Sequence, residues 1–319
     1  MEKIDAVYTW CDDSDVSFLA EKENYLNKEH IVISSTETSR RFENHDELKY
    51  SIRSLQKYAP WINHIFIVTN KQIPHWFKNT DKITIVDHKE IIPEEFLPTF
   101  NSICIERYLL NIPNLSEKFI YLNDDVFFNK KTKPSDFFYN GKPIVRLNMP
   151  IPSFEYREVD NQYDRTILNA YEAFIHHNHS VFNLLYPTHG IDSYSISMLK
   201  DINDKYPEFD IFNTSHFRTE KMIQRVIYLY EMGFIKGSKI LKYNYNINKI
   251  RKFFIVLLRQ KYYYCMDIYQ QYDNLRKKIK LIKFYSPICF CLNDLDKDGA
   301  IIAIKYLKKR FRTPSECEK

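Results

Sequence analysis

Residues 119–128 read Phe-Ile-Tyr-Leu-Asn-Asp-Asp-Val-Phe-Phe, an apolar and aromatic run with three polar residues at its centre. Such a run predicts a buried strand that ends at Asn123, Asp124 and Asp125. Adjacent carboxylates beside apolar residues are costly unless a partner neutralises them, and a divalent cation is the usual partner. Oxygen ligands favour Mg²⁺, Mn²⁺ or Ca²⁺ over Zn²⁺. A surface turn is the alternative, but the apolar residues on both sides favour a metal site.

Strands and helices alternate on the N-terminal side of this segment, which predicts an α/β fold with a mainly parallel sheet. One helix is amphipathic, because Leu48, Ile52 and Leu55 recur at intervals of three to four residues. The predicted strands are Ile4–Trp10, His64–Thr69 and Lys82–Val86, and the predicted helices run from Asp46 or Glu47 to about Tyr58 and from Asn101 or Ser102 to Leu110.

Acidic residues follow two of the predicted strands. Asp12, Asp13 and Asp15 come after the first strand, and Asp124 ends the central one. In open α/β sheets, ligands bind outside the carboxyl ends of the strands. We therefore expect these carboxylates to face one cleft.

The C-terminal half is predicted to add helices to the sheet. The helices are expected over Asp192–Asp201 and Thr219–Met232, with Gly233 as the C-cap of the second. His189 precedes the first helix and Arg218 precedes the second. A helix N-terminus attracts anions, and His189 lies near the predicted start of such a helix.

We predict three parts in the chain: a catalytic α/β domain at 1–240, a basic and aromatic helical insertion at 241–285, and a final catalytic block at 286–319. The basic segment 250–285 is interpreted as a solvated face of one or two helices. Binding of an anionic membrane leaflet or an anionic polymer is the alternative. The polar tail Lys308–Lys319 is expected to be frayed.

Glycine usage excludes two classes of nucleotide site. The chain has five glycines, and the first is Gly141, so the first 140 residues hold neither a Walker loop nor Gly-x-Gly-x-x-Gly. Side chains and a cation would have to hold a phosphorylated ligand there. The net charge of +5 fits an anionic ligand or membrane surface and does not demand nucleic acid. The hydrophobic content of 44% supports a substantial core.

The six cysteines lack metal-type spacing and do not suggest a disulfide framework, so a reducing compartment is expected. The first residues do not resemble a signal peptide. No apolar run approaches the roughly 18 residues that span a bilayer. These features predict a cytoplasmic protein, with peripheral contact at the cytoplasmic face of the membrane left open.

The segment 294–299 has two interpretations. It matches the first half of an EF-hand calcium loop, but Lys305 occupies the closing position that requires glutamate. A strand-like run, Ile288–Asn293, also precedes it where an EF-hand has a helix. We therefore favour Asn293 and Asp294 as residues that face the cleft of the central carboxylates.

Four blocks of sequence together resemble one protein family. They are 4–15 (Ile-Asp-Ala-Val-Tyr-Thr-Trp-Cys-Asp-Asp-Ser-Asp), a long block from Arg41-Phe42 through 46–54 (Asp-Glu-Leu-Lys-Tyr-Ser-Ile-Arg-Ser) to Asn123-Asp124-Asp125, a block with His189 and Phe217-Arg218, and 291–294 (Cys-Leu-Asn-Asp).

These blocks resemble the Stealth family, the bacterial capsule and cell-wall polysaccharide phosphotransferases. The family is related to the catalytic part of the animal enzyme that transfers N-acetylglucosamine-1-phosphate to lysosomal glycoproteins. Two departures occur. Cys11 and Asp13 stand where Val and Gly are common, and Lys221 and Met222 stand where the family usually carries an acid.

The resemblance implies a Rossmann-like α/β core with additions. It also implies transfer of a sugar-1-phosphate from a nucleotide-diphosphate sugar to a hydroxyl of an oligo- or polysaccharide acceptor. The product would be a phosphodiester of a surface polysaccharide, with a nucleoside monophosphate as the leaving group. The expected partners are therefore the donor and the acceptor, without nucleic acid.

The resemblance also implies roles for individual residues. Mg²⁺, or Mn²⁺, is the expected cofactor, and His189 is the candidate general base for the acceptor hydroxyl. Arg218 and Asp125 complete the expected catalytic set. The expected metal ligands are Asp124, Asp125, Asn293 and Asp294, and the expected substrate-binding residues are Thr9, Trp10, Asp12, Arg41, Arg53, Asn101 and Asn123.

Two other functions fit the same residues. A metal-dependent glycosyltransferase also uses paired acids after a strand, but it releases a nucleoside diphosphate and forms a glycosidic bond. A calcium-dependent polysaccharide-binding scaffold would use the segment 294–299 and the aromatic side chains. It would tolerate Asp124→Asn, whereas both enzymes would lose activity.

Overall fold

The computed structural model describes residues 2–31, 42–149, 161–243, 264–269, 275–293, 295 and 297–319, with the backbone alone at 267–269, 293 and 297. The strands are β1 Ile4–Thr9, β2 Ile65–Thr69, β3 Ile83–Asp87, β4 Lys118–Asn123, β5 Val126–Phe128, β6 Phe138–Tyr139, β7 Lys142–Pro143, β8 Val145–Asn148, β9 Tyr186–Pro187, β10 Asp192–Ser195, β11 Ile240–Tyr243, β12 Cys265–Tyr269 and β13 Cys289–Asn293.

The α-helices are α1 Val16–Lys28, α2 Glu47–Tyr58, α3 His88–Ile91, α4 Ser102–Tyr108, α5 Gln162–Asn178, α6 Ile196–Lys205, α7 Glu208–Phe212, α8 Val226–Tyr230, α9 Leu275–Tyr285 and α10 Lys297–Arg310. Short 3₁₀ turns lie at Glu94–Phe96, Leu109–Asn111 and Pro134–Asp136.

The central sheet has the strand order β10-β4-β1-β2-β3. Strands β4, β1, β2 and β3 are parallel, and β10 pairs with β4 in the antiparallel direction. The predicted α/β fold with a mainly parallel sheet is confirmed. Thr9 lies opposite Asn123 in the register of β1 and β4, so these two strands end side by side.

Helix α2 covers one face of the sheet with the apolar stripe that its sequence predicts. Leu48, Ile52 and Leu55 are buried and belong to the same core cluster as Ala6 and Tyr8 of β1. Each such side chain contributes about 1.5–3 kcal/mol by leaving water. The stripe therefore fixes α2 against the strand that ends beside the central carboxylates.

The apolar residues after the central carboxylates belong to a second sheet. Strand β5 pairs with β13 in the antiparallel direction, and β12 completes the order β12-β13-β5. Phe127 stacks on Phe290 with ring centroids 5.0 Å apart. Asp124 and Asp125 thus occupy the turn at which the chain passes from one sheet to the other.

The prediction of a helix over Asp192–Asp201 is wrong at its start. Asp192–Ser195 is β10, and α6 begins at Ile196. The Ser195 hydroxyl donates to Glu117 Oε1 at 2.6 Å and also accepts from the Met198 amide, so it caps the helix. Partners outside the segment therefore decide where the strand ends and the helix begins.

The prediction of a helix over Thr219–Met232 is also wrong. Helix α8 covers only Val226–Tyr230 and continues as one π-helical turn, Glu231–Ile235, which contains the predicted C-cap glycine. The Asn213 side chain accepts from the Ile223 amide at 2.8 Å and donates to its carbonyl at 3.0 Å. These bonds compete with helix formation before α8.

The polar tail is docked, which contradicts the prediction that it frays. The Lys78 amide donates to the Cys317 carbonyl at 2.8 Å, and the Lys319 amide donates to the Trp76 carbonyl at 2.9 Å. Phe311 and Cys317 are buried in two different core clusters. A segment so rich in polar residues is held by backbone pairing and by a few well-placed side chains.

The ion pair between Arg53 and Glu318 predicts an acid-sensitive contribution to stability. Burial alone would raise the pKa of Glu318, but hydrogen bonds from Arg53 and Ser315 hold it below the usual 4.5. A lowered folded pKa means that the pair stabilises the fold above the unfolded pKa and stops doing so as the pH falls through the folded pKa. We expect Glu318→Gln to lower the free energy of unfolding at pH 7 by about 1.5–3 kcal/mol.

Urea unfolding of the wild type and of Glu318→Gln from pH 7 to pH 3 measures this contribution. The difference between them should begin to shrink below pH 4.5, where the unfolded carboxyl binds a proton, and should be smallest once the pH falls below the lowered folded pKa. Glu316→Gln is the matched control, since Glu316 is exposed two residues away. A difference that stays constant with pH would show that the charge of Glu318 does not matter.

Three further predictions concern the C-terminal part. Asp298 and Gly299 lie in the first turn of α10, and a strand precedes that segment, so the alternative of an EF-hand loop is wrong. The described parts of the predicted insertion supply β12 and α9, and the rest of 244–274 lies outside the described residues. The predicted domain boundaries remain predictions.

Within the described ranges, no helix is both long and apolar enough to cross a membrane.

Candidate active site

The carboxyl ends of β1 and β4 bring together residues that are far apart in the sequence. The hydroxyl of Tyr121 lies 2.9 Å from the Thr9 hydroxyl and donates to Asn123 Oδ1 at 3.0 Å. The same hydroxyl lies 3.1 Å from Glu106 Oε1. Thr9 and Asn123, both predicted as substrate-binding residues, are thus held at one edge of the sheet by a buried tyrosine.

Asp124 is half-buried at this edge, next to two further carboxylates. Burial, Asp125 and Glu47, in that order, raise the pKa of Asp124 well above its ordinary value. Burial and Asp124 also raise the pKa of the Cys11 thiol, which places the loop after β1 near this carboxylate. The structure therefore brings the two predicted acidic loops together.

Asp125 links this edge to the second sheet. The Cys291 thiol donates to Asp125 Oδ2 at 3.2 Å, and the Leu292 amide donates to the Asp125 carbonyl at 3.0 Å. The next residue along β13 is Asn293, whose side chain is not described, and Asp294 lies outside the described residues. The backbone of β13 therefore reaches the carboxylate pair at the position where the sequence predicts further ligands.

The donor set at this edge fits a hard divalent cation. Asp124, Asp125 and Glu47 offer only oxygen atoms, which is the chemistry of Mg²⁺ and Mn²⁺ sites. Burial, together with repulsion from Asp125 and Glu47, raises the pKa of Asp124, and a cation bound at Asp124 would offset this cost. Sequence reasoning did not select Glu47, because an acid in the first turn of a helix is ordinary.

The loop after β1 is fixed by hydrogen bonds. Gln72 accepts from the Asp12 amide at 3.0 Å and donates to the Asp12 carbonyl at 2.7 Å. The Asp12 carboxylate accepts from Asn44 Nδ2 at 2.8 Å and from the Ser14 amide at 2.9 Å. Trp10, which immediately precedes this loop, is only 6% exposed and packs in the core.

Two other predicted substrate-binding residues, Arg53 and Asn101, lie in hydrogen-bonded positions of their own. Arg53 forms a two-pronged ion pair with Glu318 and donates to the Phe311 carbonyl at 2.8 Å. Asn101 is fully buried and caps α4, as predicted, by accepting from the Ile103 amide at 3.1 Å. Arg41 lies outside the described residues. Both described residues thus have intramolecular partners that account for their polar groups.

A buried ion cluster lies next to Tyr121. Arg225 donates through Nε to Asp192 Oδ2 at 3.1 Å, and its Nη1 lies 3.6 Å from Glu106 Oε1. Burial opposes the charge of Arg225, but Glu106 and Asp192 hold its pKa well above the ordinary value. Burial also raises the pKa of both acids, against the effect of the arginine. Sequence reasoning missed all three residues, because they lie 33 or more positions apart.

Arg218 is attached to the same cluster. Its guanidinium donates to the Ser102 hydroxyl, and its charge opposes the rise in the pKa of Glu106. The preceding Phe217 stacks on Phe100 with ring centroids 5.1 Å apart. The third sequence block is thus packed directly on the second block through aromatic rings.

His189 also lies near this ion cluster. Its Nε2 lies 3.3 Å from the Tyr163 hydroxyl, and its carbonyl accepts from the Cys265 thiol at 3.3 Å. Its charge contributes to the field at Asp192, three residues later. Arg218 and His189 therefore lie within electrostatic range of a row of buried polar groups, namely Tyr121, Glu106, Arg225 and Asp192, which reaches Thr9 and Asn123.

A small cavity adjoins this cluster and is lined by Glu106, Tyr121, Tyr194 and Arg225 among others. Its volume of about 10 Å³ is enough for roughly one water molecule. A sugar or nucleotide cannot fit there. The cluster therefore does not hold a substrate itself, and through Tyr121 it adjoins the predicted substrate-binding residues Thr9 and Asn123.

Comparison with known proteins agrees with the sequence blocks. Residues 41–146 match the family model described as Stealth protein CR2, conserved region 2. The capsular polysaccharide phosphotransferase fcs1 of Haemophilus influenzae is 52% identical over 148 residues, which are 46% of this chain and 41% of that protein. The capsular polysaccharide phosphotransferase cps12A of Actinobacillus pleuropneumoniae is 48% identical over 185 residues, 51% of this chain and 50% of the relative.

A longer match is the exopolysaccharide phosphotransferase cps2G of Lactiplantibacillus plantarum, 36% identical over 222 residues, which are 67% of this chain and 62% of that protein. The chain thus spans between 41% and 62% of the length of these three relatives. Among solved structures, the galactosyltransferase LgtC has a TM-score of 0.44 and 9% identity, over 99% of this chain and 98% of that one. The match at residues 41–146 and the three relatives confirm the resemblance of this chain to the Stealth family.

Proposed function

We propose that this chain transfers a sugar-1-phosphate from a nucleotide-diphosphate sugar to a hydroxyl of an acceptor sugar. The product is a phosphodiester in a capsular or other surface polysaccharide. The names of the relatives as capsular and exopolysaccharide phosphotransferases support this class of reaction. The observation that carries the proposal is that Asp124, with Asp125 and Glu47 in its electrostatic field, follows the strand whose Tyr121 belongs to a row of buried polar groups within electrostatic range of Arg218 and His189.

We assign separate roles in the reaction to the side chains of the site. Asp124, Asp125 and Asp294 are the proposed holders of Mg²⁺ or Mn²⁺, which when bound neutralises the diphosphate of the donor. Arg218 binds oxygens of the transferred phosphate through its planar guanidinium. Thr9 and Asn123 position the donor at the ends of β1 and β4.

The transfer forms one bond to phosphorus, breaks another and releases the proton of the acceptor hydroxyl. His189 accepts the proton of the acceptor hydroxyl while the oxygen attacks the phosphorus atom next to the donor sugar. A new phosphorus–oxygen bond forms, and the bond to the leaving nucleoside monophosphate breaks. The proton then passes from His189 to solvent. Tyr163, whose hydroxyl lies 3.3 Å from Nε2, orients the imidazole.

The proposed membrane contact depends on α9. Arg276, Lys277, Lys280 and Lys283 are exposed on this helix, and Phe284 is 55% exposed. A basic helix with exposed apolar residues fits an anionic leaflet. This contact and the cytoplasmic location both remain predictions.

Phosphorus NMR of the purified protein with Mg²⁺, a panel of nucleotide sugars and oligosaccharide acceptors tests the proposal. A new phosphodiester resonance together with nucleoside monophosphate is the expected result. Release of nucleoside diphosphate without a phosphodiester would establish a glycosyltransferase instead. The absence of turnover with any donor and acceptor of the panel would favour the scaffold.

A further inference from the structure

A cluster of potential metal ligands lies away from the candidate active site, at the C-terminal end of α5. His176 and His177 are in the last turn of α5, and Glu208 is the first residue of α7. One ligand atom from each of the three side chains lies within 4.8 Å of the others. None of these residues belongs to the row of buried polar groups that reaches Thr9 and Asn123.

The cluster is partly built before any ligand binds. His177 Nε2 lies 2.6 Å from Glu208 Oε1, which fixes the imidazole and the carboxylate relative to each other. The ring of His177 also packs edge-on against Tyr206 at a centroid distance of 4.6 Å. Two of the three ligands are therefore held in place by neighbours, and His176 is the exposed one.

The second carboxylate oxygen of Glu208 indicates that this is more than an ion pair. Glu208 Oε2 is buried and has no hydrogen-bond partner among the residues that the structure describes. A buried carboxylate oxygen without a partner is costly. An ordinary His–Glu pair explains Oε1 but not Oε2, whereas a cation between the carboxylate and the two imidazoles would satisfy it.

We propose that His176, His177 and Glu208 bind one divalent transition-metal ion, independently of the transfer reaction. Two imidazoles and one carboxylate suit Zn²⁺, Co²⁺ or Ni²⁺ better than Mg²⁺, which prefers oxygen ligands. The three protein ligands leave one coordination position for water or another ligand. The ion would join the last turn of α5 to the first turn of α7, and so would stabilise this end of the C-terminal half.

The test uses the full chain without an affinity tag, treated with chelator and desalted. Zn²⁺ is titrated by calorimetry, and thermal melting is followed with and without Zn²⁺. We expect one ion per chain and a rise in melting temperature of at least about 2 °C at saturating Zn²⁺. Co²⁺ should produce visible absorption bands, which report its coordination geometry directly.

Three variants and a control make the test specific. His176→Gln is expected to keep the fold, since His176 is exposed, and to lower the affinity for Zn²⁺ at least tenfold. His177→Ala and Glu208→Gln should do the same. The control is His30→Asn, which removes an exposed histidine elsewhere, and asparagine tolerates the positive φ of 53° there. Equal Zn²⁺ binding by the wild type and His176→Gln, or no binding by either, would overturn the proposal.

Discussion

Replacing Asp124 with asparagine is expected to lower the rate of the proposed sugar-1-phosphate transfer by about a thousandfold. The substitution removes a carboxylate ligand of the cation that neutralises the phosphates of the donor. Asparagine has the same shape, so the turn between β4 and β5 should persist. The loss should therefore appear in the turnover number measured by phosphorus NMR.

The same substitution is expected to leave stability unchanged or to raise it. Burial, Asp125 and Glu47 raise the pKa of Asp124 above its unfolded value. A carboxylate with a raised folded pKa destabilises the fold at neutral pH, and neutral asparagine does not. Thermal melting in the presence of chelator should show a melting temperature at or above that of the wild type.

Magnesium separates a ligand role from a general role of the charge. Mg²⁺ should raise the melting temperature of the wild type and have a smaller effect on Asp124→Asn. Asp81→Asn is the matched control, since Asp81 is exposed in a turn far from β4 in sequence. If Asp124→Asn retained a tenth of the wild-type activity, the assignment of Asp124 to the metal would be wrong.

Replacing Arg225 with methionine is expected to destabilise the protein by about 3–5 kcal/mol, because Glu106 and Asp192 would remain buried without their cation. Methionine fills a similar volume, so the loss reports charge and hydrogen bonding more than packing. Urea unfolding at pH 7 measures the change in the free energy of unfolding. A change below about 1 kcal/mol, the level of an exposed ion pair, would contradict the cluster.

A triple variant tests the cause. In a background of Glu106→Gln and Asp192→Asn, Arg225→Met should cost much less, since it leaves no buried charge behind. The pH dependence should agree. Without the arginine, the folded pKa values of both acids rise further above the unfolded values, so lowering the pH should stabilise Arg225→Met relative to the wild type. An equal cost in both backgrounds would assign the effect to packing.

The elements that the sequence predicted well are those in which apolar spacing alone decides the structure. The observed bounds of β1, β2 and β3 differ from the predicted bounds by at most one residue at either end, and β4 begins one residue before the predicted Phe119. The stripe of Leu48, Ile52 and Leu55 and the cap at Asn101 were also predicted correctly. Local propensity and tertiary packing favour the same structure in these segments.

The elements that were missed depend on distant partners. The residues of β10 are mostly polar yet buried, and Glu117 and Arg225 stabilise them from other elements. The docked tail depends on Arg53, which is 265 positions before Glu318. A pattern within one segment carries no information about such contacts.

The candidate site likewise contains residues that the sequence predicted and residues that it missed. The pairing of the Asp12 loop with Asp124 followed from the rule for carboxyl ends of parallel strands, and the structure places the two loops together. Sequence reasoning did not select Glu47, Glu106 or Arg225, because a charged residue in a helix or next to one is ordinary when it is considered alone. Only their convergence in space gives them significance.

The docked tail has a consequence for how the protein is made. Phe311 and Cys317 are buried in two core clusters, and the cluster of Cys317 includes Trp76 and Phe77, which are synthesised more than two hundred residues earlier. A nascent chain must therefore keep apolar surface of residues such as Trp76 and Phe77 exposed until residues 311–317 leave the ribosome, which favours aggregation or chaperone binding. Chains that end before Phe311 should therefore bind chaperones in a translation extract more strongly than the full chain does. Equal binding would show that the first half closes without the tail.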